Sequence, residues 1–150
     1  MFTEIRGLKI MPCTPEHIEK IPWTDQDPAF EPYARQAMKQ CADGDSTFAL
    51  MAPEGVVMCG GLAPVSPGVA YAWLMASELI QRYPLAACAA CMEGLAFLAE
   101  KQDLHRVQTA IYPAFTKGRI FAEWLGFKFE GVMRRYSPDR RDYYLYAKLF

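Results

Sequence analysis

Between Leu104 and Gly131 the chain reads LHRVQTAIYPAFTKGRIFAEWLGFKFEG, and its hydrophobic period switches twice within that span. Arg106 to Ile111 alternates, which predicts a strand with Val107, Thr109 and Ile111 on one face. Pro113 is suited to start a helix, because the N–H it lacks would be unpaired there anyway. From Phe115 to Leu125 the apolar positions Phe115, Gly118, Phe121, Ala122 and Leu125 recur at three and four, so one helical face is buried. Gly126 stands where helices most often end in a left-handed residue. Phe127-Lys128-Phe129 then alternates again. A strand, a short helix and an immediate return to strand make a compact unit.

The rest of the chain fills in around that unit. A chain of 150 residues is the size of one domain, 1–150, able to bury roughly 70% of its unfolded surface. Hydrophobic residues make up 52% of it, which excludes a disordered chain. A net charge of −1 argues against general nucleic-acid binding. No apolar run approaches the roughly 20 residues of a membrane span. Met1-Phe2-Thr3-Glu4 does not look like a secretion signal. Five cysteines without a disulfide-scaffold spacing read as reduced thiols in a cytosol.

Phe2 to Met11 alternates as a first strand, broken by Pro12 to Thr14. Thr14 with His17 and Glu19 opens a short helix. Trp23 to Pro32 reads as a loop. Glu31 to Ala42 reads as a second helix with Tyr33, Ala37, Met38 and Cys41 inward, ended by Asp43-Gly44-Asp45. Ser46 to Met51, Val56 to Leu62 and Val69 to Ala76 form three strands joined by tight turns at Pro53-Glu54-Gly55 and Ser66-Pro67-Gly68, an antiparallel meander. The longest helix runs from Pro84 to about Lys101, with Leu85, Cys88, Ala89, Met92, Leu95, Ala96 and Ala99 as its stripe. Val132 to Tyr136 and Tyr143 to Leu149 make a last hairpin, tipped by Ser137-Pro138-Asp139-Arg140.

The Gly126-Phe127 helix exit, the Glu130-Gly131 pair after it, and the order β-α-α-β-β-β-α-β-α-β-β resemble the GNAT family, the acyl-CoA-dependent N-acetyltransferases. The resemblance covers the chain loosely throughout and implies an α+β fold. It implies a mixed, mostly antiparallel sheet of six or seven strands flanked by about four helices.

It also implies where chemistry would sit. In the family the pyrophosphate of acyl-CoA meets the start of the long helix, where free N–H groups and the helix dipole favour an anion. The family motif is Gln or Arg, two residues, Gly, one residue, then Gly or Ala. Gln81-Arg82-Tyr83-Pro84-Leu85-Ala86 matches it at Gln81 and Ala86, but Pro84 replaces the glycine, removing a donor and adding bulk. Arg82 can partly compensate by pairing with phosphate. The alternative is a proline-started helix that packs and holds no ligand. Leu74, Met75, Ala76 and Leu85 complete the acyl-CoA positions, with the strands Val69–Ala76 and Arg106–Tyr112 splayed around the pantetheine arm. The family's tyrosine acid falls at Ala122, which cannot donate a proton, and its helix-opening asparagine falls at Phe115. Tyr112, at a strand end, offers a hydroxyl instead, or is structural. Glu78, just past the third meander strand with Ser77 beside it, is the candidate general base, or is simply solvated.

Cys88-Ala89-Ala90-Cys91 has metal-site spacing. No second pair exists, and a zinc site needs four ligands, so no metal is expected. Arg134, Arg135, Arg140 and Arg141 on the last hairpin suit a phosphate, a carboxylate or an acidic partner, or a solvated tip guarding an edge. Glu16, Glu19, Asp25, Asp27 and Glu31 make the first helical region acidic, where the family places its acceptor, so a cationic amine is conceivable. Two functions stay open. One is an N-acyltransferase using acetyl-CoA or another acyl-CoA as substrate and a small or protein amine as acceptor, in the cytoplasm. The other is a non-catalytic GNAT-fold binding or structural part with protein partners. It is similar to short GNAT-like tailed-phage proteins, some of them virion components.

Overall fold

The computed structural model describes residues 3–23, 27–42 and 45–150. Among these residues eight strands, β1 (Glu4–Ile5), β2 (Leu8–Met11), β3 (Thr47–Ala52), β4 (Gly55–Ser66), β5 (Val69–Ala76), β6 (Arg106–Ile111), β7 (Lys128–Met133) and β8 (Tyr143–Leu149), form one sheet in the order β1-β2-β3-β4-β5-β6-β8-β7. Among the described residues, every neighbouring pair is antiparallel except β5 and β6. Among the described residues, four α-helices cover it: α1 (Pro15–Lys20), α2 (Glu31–Cys41), α3 (Pro84–Lys101) and α4 (Thr116–Trp124). The α+β class and the element order match the expectation. The sheet has one strand more than the upper expectation of seven.

The extra strand comes from a hairpin inside what reads as a single strand from Phe2 to Met11. Arg6 and Gly7 take φ of 47° and 81°, and Ile5 pairs with Leu8. Two central residues with positive φ make the turn that matches strand twist. Phe2 itself, the loop centre at 24–26 and the helix-ending Asp43-Gly44 lie outside the described residues. At the other end, the strand expected to reach Tyr136 ends at Met133. β7 carries a register shift between Phe129 and Gly131. Phe127 precedes the strand and is buried.

Period-two geometry sorts the strands' side chains onto two faces. On one, Ile10, Leu50, Met58 and the small residues Ala86, Ala87 and Ala90 of α3 pack together; Leu62, Val107, Ala122, Phe127 and Tyr146 continue that layer under α4. On the other, Cys13, Ile18, Ile21, Cys59, Trp73 and Met75 pack under α1 and α2. Thr14 caps α1, its Oγ1 accepting from His17 N–H at 3.3 Å while Thr14 N–H donates to His17 Nδ1 at 3.0 Å. Arg35 ties α2 to α1, donating to the carbonyls of Ile18 and Ile21 at 2.7 and 2.8 Å.

One expected helix face and one expected helix start are corrected. The buried line of α3 is Ala86, Ala87, Ala90, Cys91, Gly94, Leu98 and Ala99, rotated from the expected stripe; Leu85 and Met92 are exposed. α3 is apolar nearly all round, so periodicity could not choose a face, and small residues won because they let the helix approach the sheet. Pro113 lies in the turn that Phe115 N–H closes on Tyr112 C=O at 2.9 Å, and α4 begins only at Thr116.

Candidate functional site

β5 and β6 are ladder partners only from Val69 to Tyr71 and from Arg106 to Gln108. Beyond that point β5 stays with β4 as far as Ala76, while β6 follows β8 to Ile111. The two strands part, and a ladder amide at the fork must be satisfied another way. Tyr71 does so: Ala110 N–H donates to its hydroxyl at 3.3 Å. A cavity of about 910 Å³ occupies the gap. Its lining comes from both faces of the sheet: Leu95, Gly118 and Phe121 under α3 and α4, and Trp23, Tyr33 and Met38 under α1 and α2.

This explains the surface of α2. Tyr33, Ala37, Met38 and Cys41 do lie on one face, and Met38 and Cys41 pack on the core as expected, but Tyr33 and Ala37 are exposed where that face borders the cavity. Ala34, the buried residue of α2, lines the cavity with them.

Of the residues singled out from sequence, Leu74, Met75, Ala76, Glu78, Gln81, Tyr112, Phe115 and Ala122 line the cavity. Leu74 and Ala76 face α3, whereas Met75 packs on the opposite layer. Glu78 opens a 3₁₀ turn, Glu78–Gln81, capped by Ser77, whose Oγ accepts from Leu79 N–H at 3.3 Å and donates to Val56 C=O at 2.6 Å. Among the described residues, Glu78 and Lys117 are the charged ones of the lining. Arg141 Nη1 donates to the Tyr112 hydroxyl oxygen at 2.6 Å and Arg141 Nε to Asp139 Oδ2 at 2.6 Å. The hairpin arginine thus reaches back to the cavity, a contact that no sequence signal announced.

Arg82, Leu85 and Ala86 stand apart from the lining. Pro84 is the first residue of α3, after an N-cap Tyr83 that makes no side-chain cap. Leu85 and Ala86 N–H therefore sit in the turn that has no intrahelical carbonyl to meet. Arg82 does not project alone: its Nη1 donates to Glu54 Oε2 at 2.9 Å, and Tyr83 Oη donates to Glu54 Oε1 at 2.8 Å. These two contacts, the tyrosine's foremost, hold the Glu54 carboxyl below its usual range, and the same carboxylate raises the Tyr83 phenol. A built-in anion thus stands beside the helix start.

On the α2 side the wall is aromatic. Phe30 stacks on Tyr136 with ring centroids 5.7 Å apart, and Tyr143 lies 5.4 Å from Phe30, 5.2 Å from Tyr136 and 5.8 Å from Tyr112. Burial pushes the Tyr136 phenol up to about 12. Tyr143 is raised by burial first and then by the Asp27 carboxylate. Asp27 is fully buried; its Oδ1 accepts from Ala29 N–H at 3.1 Å and its carbonyl from Trp23 Nε1 at 3.0 Å. Among the described residues, Asp27 Oδ2 and the buried indole N–H of Trp73 have no hydrogen-bond partner. Sequence reading placed Asp27 only in a general acidic run. Glu19 and Glu31 of that run are paired with Lys39 and Arg35, and Asp25 lies outside the described residues.

Cys91 is buried and its thiol is pushed up to about 12 by burial, while Cys88 is half-buried. Among the described residues no group of three His, Cys, Asp or Glu side chains is placed to hold a metal ion. Nor, among them, is any helix long and apolar enough to cross a membrane.

No family model and no curated protein sequence matches the chain. Solved structures do. A GNAT-family acetyltransferase from Bacillus anthracis superposes with a TM-score of 0.71 at 16% identity, covering 99% of this chain and 98% of the other. Mycobacterium smegmatis RimJ, solved with CoA-disulfide, gives 0.64 at 18% identity over 95% of this chain and 81% of its own. Spermidine N-acetyltransferase from Vibrio cholerae gives 0.66 at 14% identity over 95% of each chain. With its parted central strands and its helix order, this chain has the GNAT acetyltransferase fold.

Proposed function

We propose that the protein is an N-acyltransferase that moves an acyl group from acyl-CoA to an amine. The observation that carries this reading is the cavity across the β5–β6 gap, which joins the α3–α4 face of the sheet to the α1–α2 face. A thioester entering from one face and an amine from the other would meet at the gap, held in near-attack geometry without a covalent enzyme intermediate. The amine must lose a proton before it can attack. Glu78, a carboxylate at the rim, takes it directly or through water. The nitrogen lone pair then forms the C–N bond at the thioester carbonyl carbon. As the C–S bond breaks, its electron pair leaves on sulfur, and the second amine proton balances the free thiol.

Tyr112 is the proton donor to sulfur in this reading, in place of a hydroxyl at Ala122. The Arg141 guanidinium on its oxygen stabilises the phenolate left behind, since charge-assisted hydrogen bonds are the stronger kind. The phosphates would meet Leu85 and Ala86 N–H and Arg82, provided Arg82 exchanges Glu54 for the ligand. The test is release of free thiol from acetyl-CoA, dependent on an added amine and followed with a panel of amines. Thiol release at the no-enzyme rate with every amine would remove this reading.

One feature favours a second reading, a GNAT-fold protein that binds a partner without catalysis. Glu54, gripped by Arg82 and Tyr83, sets a negative charge where the phosphates would approach. Failure of acetyl-CoA to bind would favour it.

A further inference from the structure

Tyr71 is the last residue of β5 that still pairs with β6, opposite Gln108. Two residues past Gln108, the Ala110 N–H donates to the Tyr71 hydroxyl oxygen at 3.3 Å. The phenol therefore crosses from one strand to the other where they part, and both Tyr71 and Ala110 line the cavity. The Tyr71 ring packs on the α1–α2 layer with Trp73 and Met75, while the next residue, Ala72, belongs to the α3–α4 layer. Its hydroxyl thus stands where the two faces of the sheet open into each other.

The hydrogen bonds at this oxygen set what it can do. A phenol oxygen accepts, and its O–H donates. The Ala110 amide uses the accepting side. The Tyr136 phenol is raised by burial first and then by Tyr71, to which it hydrogen-bonds as the donor. Tyr71 is the acceptor in both contacts, so neither uses its own proton. A hydroxyl that accepts hydrogen bonds is polarised by them and donates more strongly. Tyr112 is differently placed, because Arg141 Nη1 donates to its oxygen at 2.6 Å. A cation there suits a phenol that gives its proton up; two neutral donors suit one that keeps it.

Addition of an amine lone pair to the thioester carbonyl carbon moves the C=O π pair onto oxygen. That oxyanion is stabilised by donors already in place. We propose that Tyr71 is a catalytic residue whose hydroxyl donates to the thioester carbonyl oxygen at the fork, polarising it in the bound donor and holding its charge in the tetrahedral intermediate. No proton is transferred. The pair on oxygen re-forms the C=O bond as the C–S bond breaks, and Tyr71 keeps its hydrogen throughout. One such donor is worth about 10²–10³ in kcat. The inference rests on the acyl-transfer reading of the gap and separates Tyr71, acting on oxygen, from Tyr112, acting on sulfur.

Infrared difference spectroscopy of the full chain, with acetyl-CoA isotopically labelled at its thioester carbonyl, reads this contact without an amine. The expected result is a carbonyl band at lower wavenumber in the bound thioester than in the free one. Tyr71→Phe should return the band to the free position or above it while saturable binding persists. Replacing Tyr71 by 3-fluorotyrosine keeps the ring and hydroxyl but makes the phenol a stronger donor, so the band should move further down. A hydroxyl that only satisfied the Ala110 N–H would leave the band unmoved. Tyr112→Phe should leave the band at its native position. Bound acetyl-CoA with an unshifted band in the native chain, or the native band retained in Tyr71→Phe, overturns the proposal and leaves the acyl-transfer reading standing. Should Tyr71→Phe fail to fold, the native and fluorotyrosine spectra decide, and a band that does not move down between them overturns the proposal. Absence of saturable acetyl-CoA binding defeats the acyl-transfer reading, and the proposal with it.

Discussion

Replacing Gly126 by valine should loosen the helix that roofs the cavity. Gly126 takes φ of +96°, a conformation that a β-branched residue resists. The two hydrogen bonds around it form a Schellman motif: Phe127 N–H reaches Ala122 C=O at 3.0 Å and Gly126 N–H reaches Glu123 C=O at 3.0 Å. Ala122 and Phe127 bury together in the same cluster, so backbone and side chains hold the same turn. An added Cβ would stand 3.3 Å from Lys148 Nζ, the movable end of a long side chain, so crowding adds little. The cost is therefore mainly conformational, about 1–3 kcal/mol for a strained left-handed residue. At about 2–4 °C per kcal/mol for a chain of this size, the melting temperature should fall by about 2–12 °C. Differential scanning calorimetry reads this directly. Gly126→Asn, a residue that tolerates positive φ, should recover most of the loss. An unchanged melting temperature for Gly126→Val would refute the assignment of the turn's energy to Gly126.

Four further changes probe the site. Pro84→Gly restores an N–H at the start of α3; one charge-assisted hydrogen bond is worth about 1.5–3 kcal/mol, so acetyl-CoA should bind about tenfold tighter or better by calorimetry, while stability drops by about 0.4–1 kcal/mol. Tyr112→Phe should lower kcat by about 10²–10⁴ with acetyl-CoA binding unchanged, as loss of a proton donor does; Arg141→Met should move kcat the same way through the phenolate it leaves unsupported. The Glu54 carboxyl is lowered in the folded chain by Tyr83 and then Arg82, so its stabilisation is present above the unfolded pKa of about 4.3 and fades as pH falls through the lower folded value. Urea midpoints of wild type and Glu54→Gln should differ at pH 7 and converge on acidification; a gap that widens would reverse the sign of the argument.

The strand–helix–strand unit was readable because its periods are clean and Gly126 ends the helix with a specific backbone need. The meander was readable because its turns carry proline and glycine. Arg6-Gly7 hid inside an alternating run, since a two-residue hairpin keeps the alternation on both sides of it. α3 offered no polar face from which to infer its orientation. The cavity wall on α2 looked like core in the sequence, because aromatic residues facing a binding space and those facing a core share one period. Asp27 was seen only as one charge among several. Its burial is a tertiary fact, made beside Trp23 and within reach of Tyr143 of β8, and Arg141 meets Tyr112 across a separation that no local pattern records.

The account stands most directly on whether the β5–β6 gap takes acyl-CoA. Calorimetric titration of the native chain with acetyl-CoA should show one saturable site per chain, with affinity in the range of about 1 μM–1 mM usual for enzyme substrates. Ala72→Trp, which fills the gap, should abolish it while the chain remains folded. Absence of saturable heat in the native protein, or binding that survives the filled gap, would contradict the account.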